Sequence, residues 1–311
     1  MSLLRVDSGY INNKGEIYDE NGVFIDFPRE LGSKTRSNLD PSTVVKQLRN
    51  KRVACLVHER RNYSYYHWTY ETLPKLIYLS RHRKELKVDK IYFHYGFWGH
   101  PYQRQAMRKL GFNRWQILDA RRISALMAKE ILVVKLNEIR MNPSAELCES
   151  IKAAFTEPTT KQSFRRIYVT REHVKSGRKV VNEFQLRELL STYGFETVTA
   201  DNLTLAHQAK LFNESEYVIS PHGANLANLA FCKSGTRVIE LCNQIDRSTW
   251  LPVYSRIANR GSLELIQLAP KQVMQKAPVQ GDILQNKKIQ HRANFVADLG
   301  AIKATLTNWG L

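Results

Sequence analysis

The chain has few cysteines, few acids and no long apolar run, and each shortage excludes something. Its four cysteines (Cys55, Cys148, Cys232 and Cys242) are scattered through 311 residues without any CxxC or CxxH pairing. That spacing argues against a zinc site and for reduced thiols in a cytosolic compartment. No run of about 18 apolar residues occurs, so no membrane-spanning helix is expected. The opening residues, MSLLRVDSGY, lack the apolar core of a signal peptide, which points to the cytoplasm. No GxGxxG follows an apolar run, which weakens a nicotinamide oxidoreductase reading. Internal repeats and low-complexity tracts are missing as well.

Acids are outnumbered throughout: 29 Asp and Glu face 47 Lys and Arg, for a formal charge of +18. There are 27 basic against 16 acidic residues up to residue 155, and 20 against 13 beyond it. Clusters stand at RNKR (49–52), RHRK (81–84) and RR (121–122 and 165–166). Such a surface suits nucleic acid, an anionic membrane leaflet or phosphorylated substrates. No helix-turn-helix, zinc finger or RNP-like aromatic pattern accompanies the charge, which places nucleic acid last.

What is present is alternation. GEIYDENGVFID (15–26) reads as a β-hairpin about its Asn-Gly. From residue 52, apolar runs at 52–57 and 89–95, with shorter ones near 115–118 and 130–134, predict buried strands. Between them the spacing predicts helices over 64–86, with a kink or break at Pro74, over 101–112 with a Gly111 stop, and from Pro143 to Phe155. EPTTKQS (157–163) is a linker. Strands follow at 165–171, 195–200, 216–220, 236–242 and 263–268, with helices at 182–194, 203–215, 224–232 and 250–260. The 224–232 helix reads as amphipathic. A polar stretch (271–292) precedes a last helix near 293–308. The two runs predict two Rossmann-like α/β domains facing across a cleft, over 1–156 and 160–290, with a C-terminal helix in 291–311.

Three segments carry candidate chemistry. In SPHGAN (220–225) a strand meets a helix, which aims unpaired backbone N–H groups at a ligand. Gly223 leaves room for a phosphate, the helix N-terminus adds partial positive charge, and His222 can donate a further hydrogen bond. A plain turn would contain the same residues. In YVTREHVKSGRKVVNE (168–183) a strand delivers Arg171, which can fork onto phosphate oxygens, ahead of Arg178 and Asn182. The bland alternative is a solvated basic loop. In NYSYYHWTYETLPKL (62–76) His67 and Glu71 share a helix face, among Tyr63, Tyr65, Tyr66, Trp68 and Tyr70. Either side chain can take a proton from a hydroxyl nucleophile, and aromatic rings suit sugar faces. A structural aromatic helix would also explain them.

Taken together, NYxYYHWxxExLPKL, YVTRxxxxxxRxxxNE and VISPHGANLANLAFCxxGTxVIEL resemble glycosyltransferase family 61, over about residues 62–241. The resemblance implies a GT-B fold, whose C-terminal helix packs back on the first domain, and an inverting, metal-independent transfer from a nucleotide sugar, with UDP the expected carrier. It places the donor in the C-terminal domain against Arg171, Arg178, Asn182, His222, Gly223, Ala224 and Asn225. Asn228 shares a helix face with Asn225, and Glu240 is expected to accept from ribose hydroxyls. The N-terminal domain is expected to bind a glycan or lipid-linked glycan and to supply the base, Glu71 or His67. No cofactor is implied and no metal, since Asp-x-Asp is missing and Arg171 and His222 can meet the diphosphate charge directly. A chain of this length, without a leader, is similar to the bacterial enzymes of capsule or lipopolysaccharide assembly, cytoplasmic and peripheral on the inner membrane face. The alternative is a non-catalytic basic α/β protein that binds nucleic acid or anionic polysaccharide.

Overall fold

A computed structural model describes the chain except residues 26–37, 45, 57–63, 94–99, 137–140, 159, 176, 202, 247–251 and 275–291. The described residues form two compact units, Met1–Ala154 and Phe155–Leu311.

Unit 1 contains β1 (Ser2–Asn12), β2 (Ile17–Tyr18), β3 (Lys46–Cys55), β4 (Lys90–Phe93), β5 (Ile117–Asp119) and β6 (Ala125–Lys135). They form one sheet in the order β2-β1-β6-β3-β4-β5. Strands β6, β3, β4 and β5 run parallel, and Val53, Ala54, Ile91, Tyr92, Ile131 and Leu132 are fully buried there. Burial on both faces is what their continuous apolar runs require. β1 lies antiparallel along β6, from Ser2↔Lys135 to Asn12↔Ala125, so the sheet is mixed. The hairpin expected at 15–26 shrinks accordingly. β2 pairs with β1, and the far arm contributes one bridge, Tyr18↔Phe24, around a turn closed by Asp19; Asp26 lies outside the described residues.

The helix expected over 64–86 has a π-turn in its middle. α1 (Tyr65–His67) passes through a π-helical turn, Trp68–Thr72, into α2 (Leu73–Arg81) and α3 (Arg83–Leu86). Pro74 has no N–H for the carbonyl one α-turn back, and its ring crowds that carbonyl. The wider turn, closed by the Leu73 N–H on the Trp68 carbonyl, absorbs the mismatch. α4 (Pro101–Lys109) stops before Gly111, whose φ of 77° is left-handed, and α5 (Ala145–Phe155) ends the unit.

Unit 2 contains β7 (Arg165–Val169), α6 (Glu183–Thr192), β8 (Glu196–Val198), α7 (Leu205–Asn213), β9 (Ser215–Pro221), a 3-10 helix (Ala224–Phe231), β10 (Arg237–Leu241), α8 (Val253–Arg260) and β11 (Glu264–Leu268). Its sheet is wholly parallel, in the order β11-β10-β9-β7-β8. The chain leaves β7 for β8 on one side and returns to β9 on the other, so the winding reverses between β7 and β9. At such a switch point the two departing loops part and leave a crevice at the carboxyl ends of the strands.

One expectation for unit 2 is corrected. The 224–232 segment is a 3-10 helix buried all round from Asn225 onward, not an amphipathic α-helix. The C-terminal helix, α9 (Leu299–Asn308), joins the core of unit 2. Its Ile302 and Leu306, with Trp309, join Tyr168, Leu186, Leu190, Tyr217 and Ile239 in one cluster. Trp309 Nε1 donates to Glu264 at 2.6 Å, and Arg237 donates to the Trp309 carbonyl at 2.9 Å. Among the described residues no helix is long and apolar enough to cross a membrane, and all four cysteines are buried.

Candidate active site

The crevice between β7 and β9 is built by pinning both strand ends. At the end of β7, Glu183 accepts from the hydroxyls of Tyr168 (2.9 Å) and Thr170, and Thr170 in turn accepts from the Glu172 N–H (3.0 Å). The next side chain, Arg171, is only 4% exposed. Its guanidinium lies against the backbone of the β9 turn. A Cβ on residue 223 would fall 2.2 Å from Arg171 Nη1. The φ of Gly223 is 173°, an ordinary extended value, so glycine is needed here for space.

Arg178 reaches the same crevice from a loop with two consecutive left-handed residues, Gly177 (φ 82°) and Arg178 (φ 59°). A Cβ on residue 177 would meet the Arg292 carbonyl oxygen at 2.0 Å, so no other residue fits. The loop is laced to the segment before α9. The Arg178 N–H donates to the Arg292 carbonyl (3.2 Å), the Val181 N–H to the Phe295 carbonyl (2.7 Å) and the Phe295 N–H to the Lys179 carbonyl (3.0 Å). Burial, with Arg178 nearby, pushes the pKa of Arg171 down to about 10, against the opposing pull of Asp201 and Tyr254. Burial lowers that of Arg178 as well, with Arg292 adding to the effect and Tyr254 and Glu240 opposing it. Two desolvated cations thus share one site, and each would be relieved by an anion.

His222 is held rigidly at the end of β9. Its Nδ1 lies 2.5 Å from Glu240 Oε1, while Gln267 donates to Glu240 Oε2 at 2.9 Å. Glu240 is fully buried, so Nδ1 is the ring nitrogen turned into the sheet and Nε2 is the one left for a ligand. The Tyr254 ring meets the imidazole edge-on at 5.2 Å. Asn225 is 6% exposed, and its Nδ2 has no hydrogen-bond partner. Arg171, Arg178, His222 and Asn225 therefore supply a donor-rich, water-poor site flanked by Gly223 and Ala224.

Three residues expected at the donor have partners within unit 2. Glu240 is fully buried and its oxygens face His222 and Gln267 inside the sheet. Asn182 spends its amide on the backbone of Ala297, donating at 3.0 Å and accepting at 2.8 Å. Asn228 is fully buried and donates to Gln208 on α7 at 2.8 Å. Conversely, Tyr254 and Gln267 belong to the site although no motif marks them. Gln267 stands directly opposite Glu240 in the β10–β11 register, a fact that only strand pairing reveals.

In unit 1 the His67 Nδ1 and Glu71 Oε1 atoms lie 2.8 Å apart across the π-turn, with side chains 19% and 12% exposed. The aromatic residues do not ring an open face as expected. Tyr66, Trp68 and Tyr70 are buried in the core, Tyr65 packs on Tyr102 at 5.0 Å, and Tyr63 lies outside the described residues. Among the described residues no cluster of His, Cys, Asp and Glu is arranged to hold a metal ion.

A family model described as Glycosyltransferase 61 matches residues 65–239. The match contains every candidate residue except Glu240. No curated protein matches the chain significantly.

Proposed function

Since the chain belongs to glycosyltransferase family 61, we propose that this glycosyltransferase transfers its sugar with inversion and without a metal, from a UDP-linked donor to a glycan or lipid-linked glycan. The observation that carries this reading is the convergence of Arg171 and Arg178, both desolvated, on His222 at a switch point of a parallel sheet. A diphosphate fits that demand. Its charge rises as the anomeric C–O bond breaks and the electron pair passes to the diphosphate oxygen. Fixed donors in a site that need not reorganise stabilise that developing charge most. Arg171 and Arg178 supply charge, His222 Nε2–H and Asn225 Nδ2–H donate directed hydrogen bonds to the diphosphate, and Gly223 supplies space. As the acceptor oxygen bonds to the anomeric carbon, its proton passes to the His67–Glu71 pair. The bacterial members of the family suggest capsule or lipopolysaccharide assembly as the setting, on the cytoplasmic side.

Calorimetric titration with a panel of nucleoside diphosphates tests the reading, followed by hydrolysis assays on the matching nucleotide sugars. Saturable binding of one nucleoside diphosphate, unchanged by chelator, is expected. Salt-sensitive binding to any polyanion, with no saturable nucleotide site, would return the non-catalytic alternative.

A further inference from the structure

We propose that the amino edge of the unit 1 sheet is a docking surface for an anionic lipid bilayer. Three segments meet there: the irregular part of β3 at 49–52, the turn from α3 into β4 at 81–90, and the turn from α4 into β5 at 108–116. Hydrogen bonds hold them together. Asp89 accepts from the Arg52 N–H (2.9 Å) and pairs with Lys51 (3.4 Å). Arg83 donates to the Leu110 carbonyl (2.9 Å), and Lys90 to the Trp115 carbonyl (2.6 Å). These segments carry eleven Lys and Arg against two acids, Glu85 and Asp89. Both acids are already engaged, Glu85 with His82 and Asp89 with Lys51.

At this edge stands Trp115, 74% exposed, the most exposed large hydrophobic side chain among the described residues. The Arg114 guanidinium lies over its ring at 5.0 Å. An amphipathic ring with a cation on its face suits headgroup depth, where indole settles at the interface and arginine meets phosphate. The surrounding charge adds long-range attraction to anionic lipid. Single-stranded nucleic acid fits less well, since it needs successive stacking platforms. In the described part of unit 1 no other large aromatic is exposed. Ligands of α/β sheets sit at the opposite, carboxyl edge, so docking here would leave that edge open.

The inference does not depend on sugar transfer, and its test uses no substrate. The intact chain is co-sedimented with phosphatidylglycerol–phosphatidylcholine vesicles and with phosphatidylcholine vesicles alone. Salt-sensitive binding to the first only is expected. Lys84→Gln with Lys87→Gln should lower the partition coefficient about fivefold for each charge removed, the effect of about 1 kcal/mol per basic residue near the surface. Trp115→Ser should lower it at low and high salt alike, and Arg260→Gln, on α8 of unit 2, should leave it unchanged. All four positions are exposed, so circular dichroism should report an intact fold. Equal binding to both vesicles, or wild-type partition in the Lys84/Lys87 and Trp115 variants, would overturn the proposal. So would a single-stranded RNA that binds through Trp115 while vesicles do not.

Discussion

The guanidinium of Arg171 fills the space that a side chain at residue 223 would occupy, with Nη1 only 2.2 Å from where a Cβ would sit. Glycine and arginine here act as one unit on two strands. Because the backbone at 223 is extended, Gly223→Ala should fold normally while pushing the guanidinium aside. Nucleoside diphosphate affinity should fall by about 1.5–3 kcal/mol, the scale of a lost charged hydrogen bond. Arg171→Ala should cost about the same, and the double variant little more than either single one. Calorimetric affinities that simply add would show that the two residues act separately.

The same arginine should weigh on the empty protein. Its pKa is depressed to about 10, so folding disfavours the charged form, and the penalty is present at every pH below that value. Stability from this side chain would return only as pH rises past about 10. Arg171→Met keeps much of the volume and removes the charge. It should move the urea midpoint of the ligand-free chain upward at neutral pH, the direction set by the burial that depresses the Arg171 pKa. It should also abolish diphosphate binding. A lower midpoint would mean that Arg171 holds the fold together.

How much of this could be read from the sequence depends on what each residue faces. Parallel strands buried on both faces announce themselves as unbroken apolar runs, so RRIYV, EYVIS and TRVIEL could be placed, and with them Arg171 and His222 at strand ends. Order across the sheet leaves no such mark. The switch between β7 and β9, and the register that sets Gln267 against Glu240, arise from long-range pairing. The partners of Asn182, Asn228 and Glu240 leave no mark in the sequence either, because a polar residue near a site can be engaged by the backbone or by a distant neighbour. The π-turn beside Pro74 was legible only as an irregularity, and the docking of α9 not at all.

His222 has two duties that substitutions can separate. One is to hydrogen-bond Glu240, which is fully buried. The other is to offer Nε2 to the ligand. His222→Ala leaves a buried oxygen of Glu240 without its partner and should destabilise unit 2 by about 1–3 kcal/mol. His222→Asn places an amide N–H near the position of Nδ1 and should recover most of that loss, without restoring diphosphate affinity. Thermal unfolding and calorimetry on both variants check the split. Equal destabilisation by Ala and Asn would show that the Glu240 contact does not need a donor.

The remaining prediction concerns proton removal. The His67–Glu71 pair is held on one helix face by the turn that Pro74 imposes, with Nδ1 and Oε1 2.8 Å apart. An inverting transfer needs one group to accept the hydroxyl proton as the new bond forms. A carboxylate can do so directly while the imidazole orients it, or the roles can be exchanged. Glu71→Gln preserves shape and hydrogen-bonding capacity and removes only basicity, so it is the sharper substitution. Turnover should fall by about 10²–10⁴, with nucleotide affinity and thermal stability close to wild type. His67→Ala should lower turnover too, with a smaller loss if the histidine only orients. Near wild-type turnover in both variants would leave the pair with a structural duty alone and send the search for the base elsewhere.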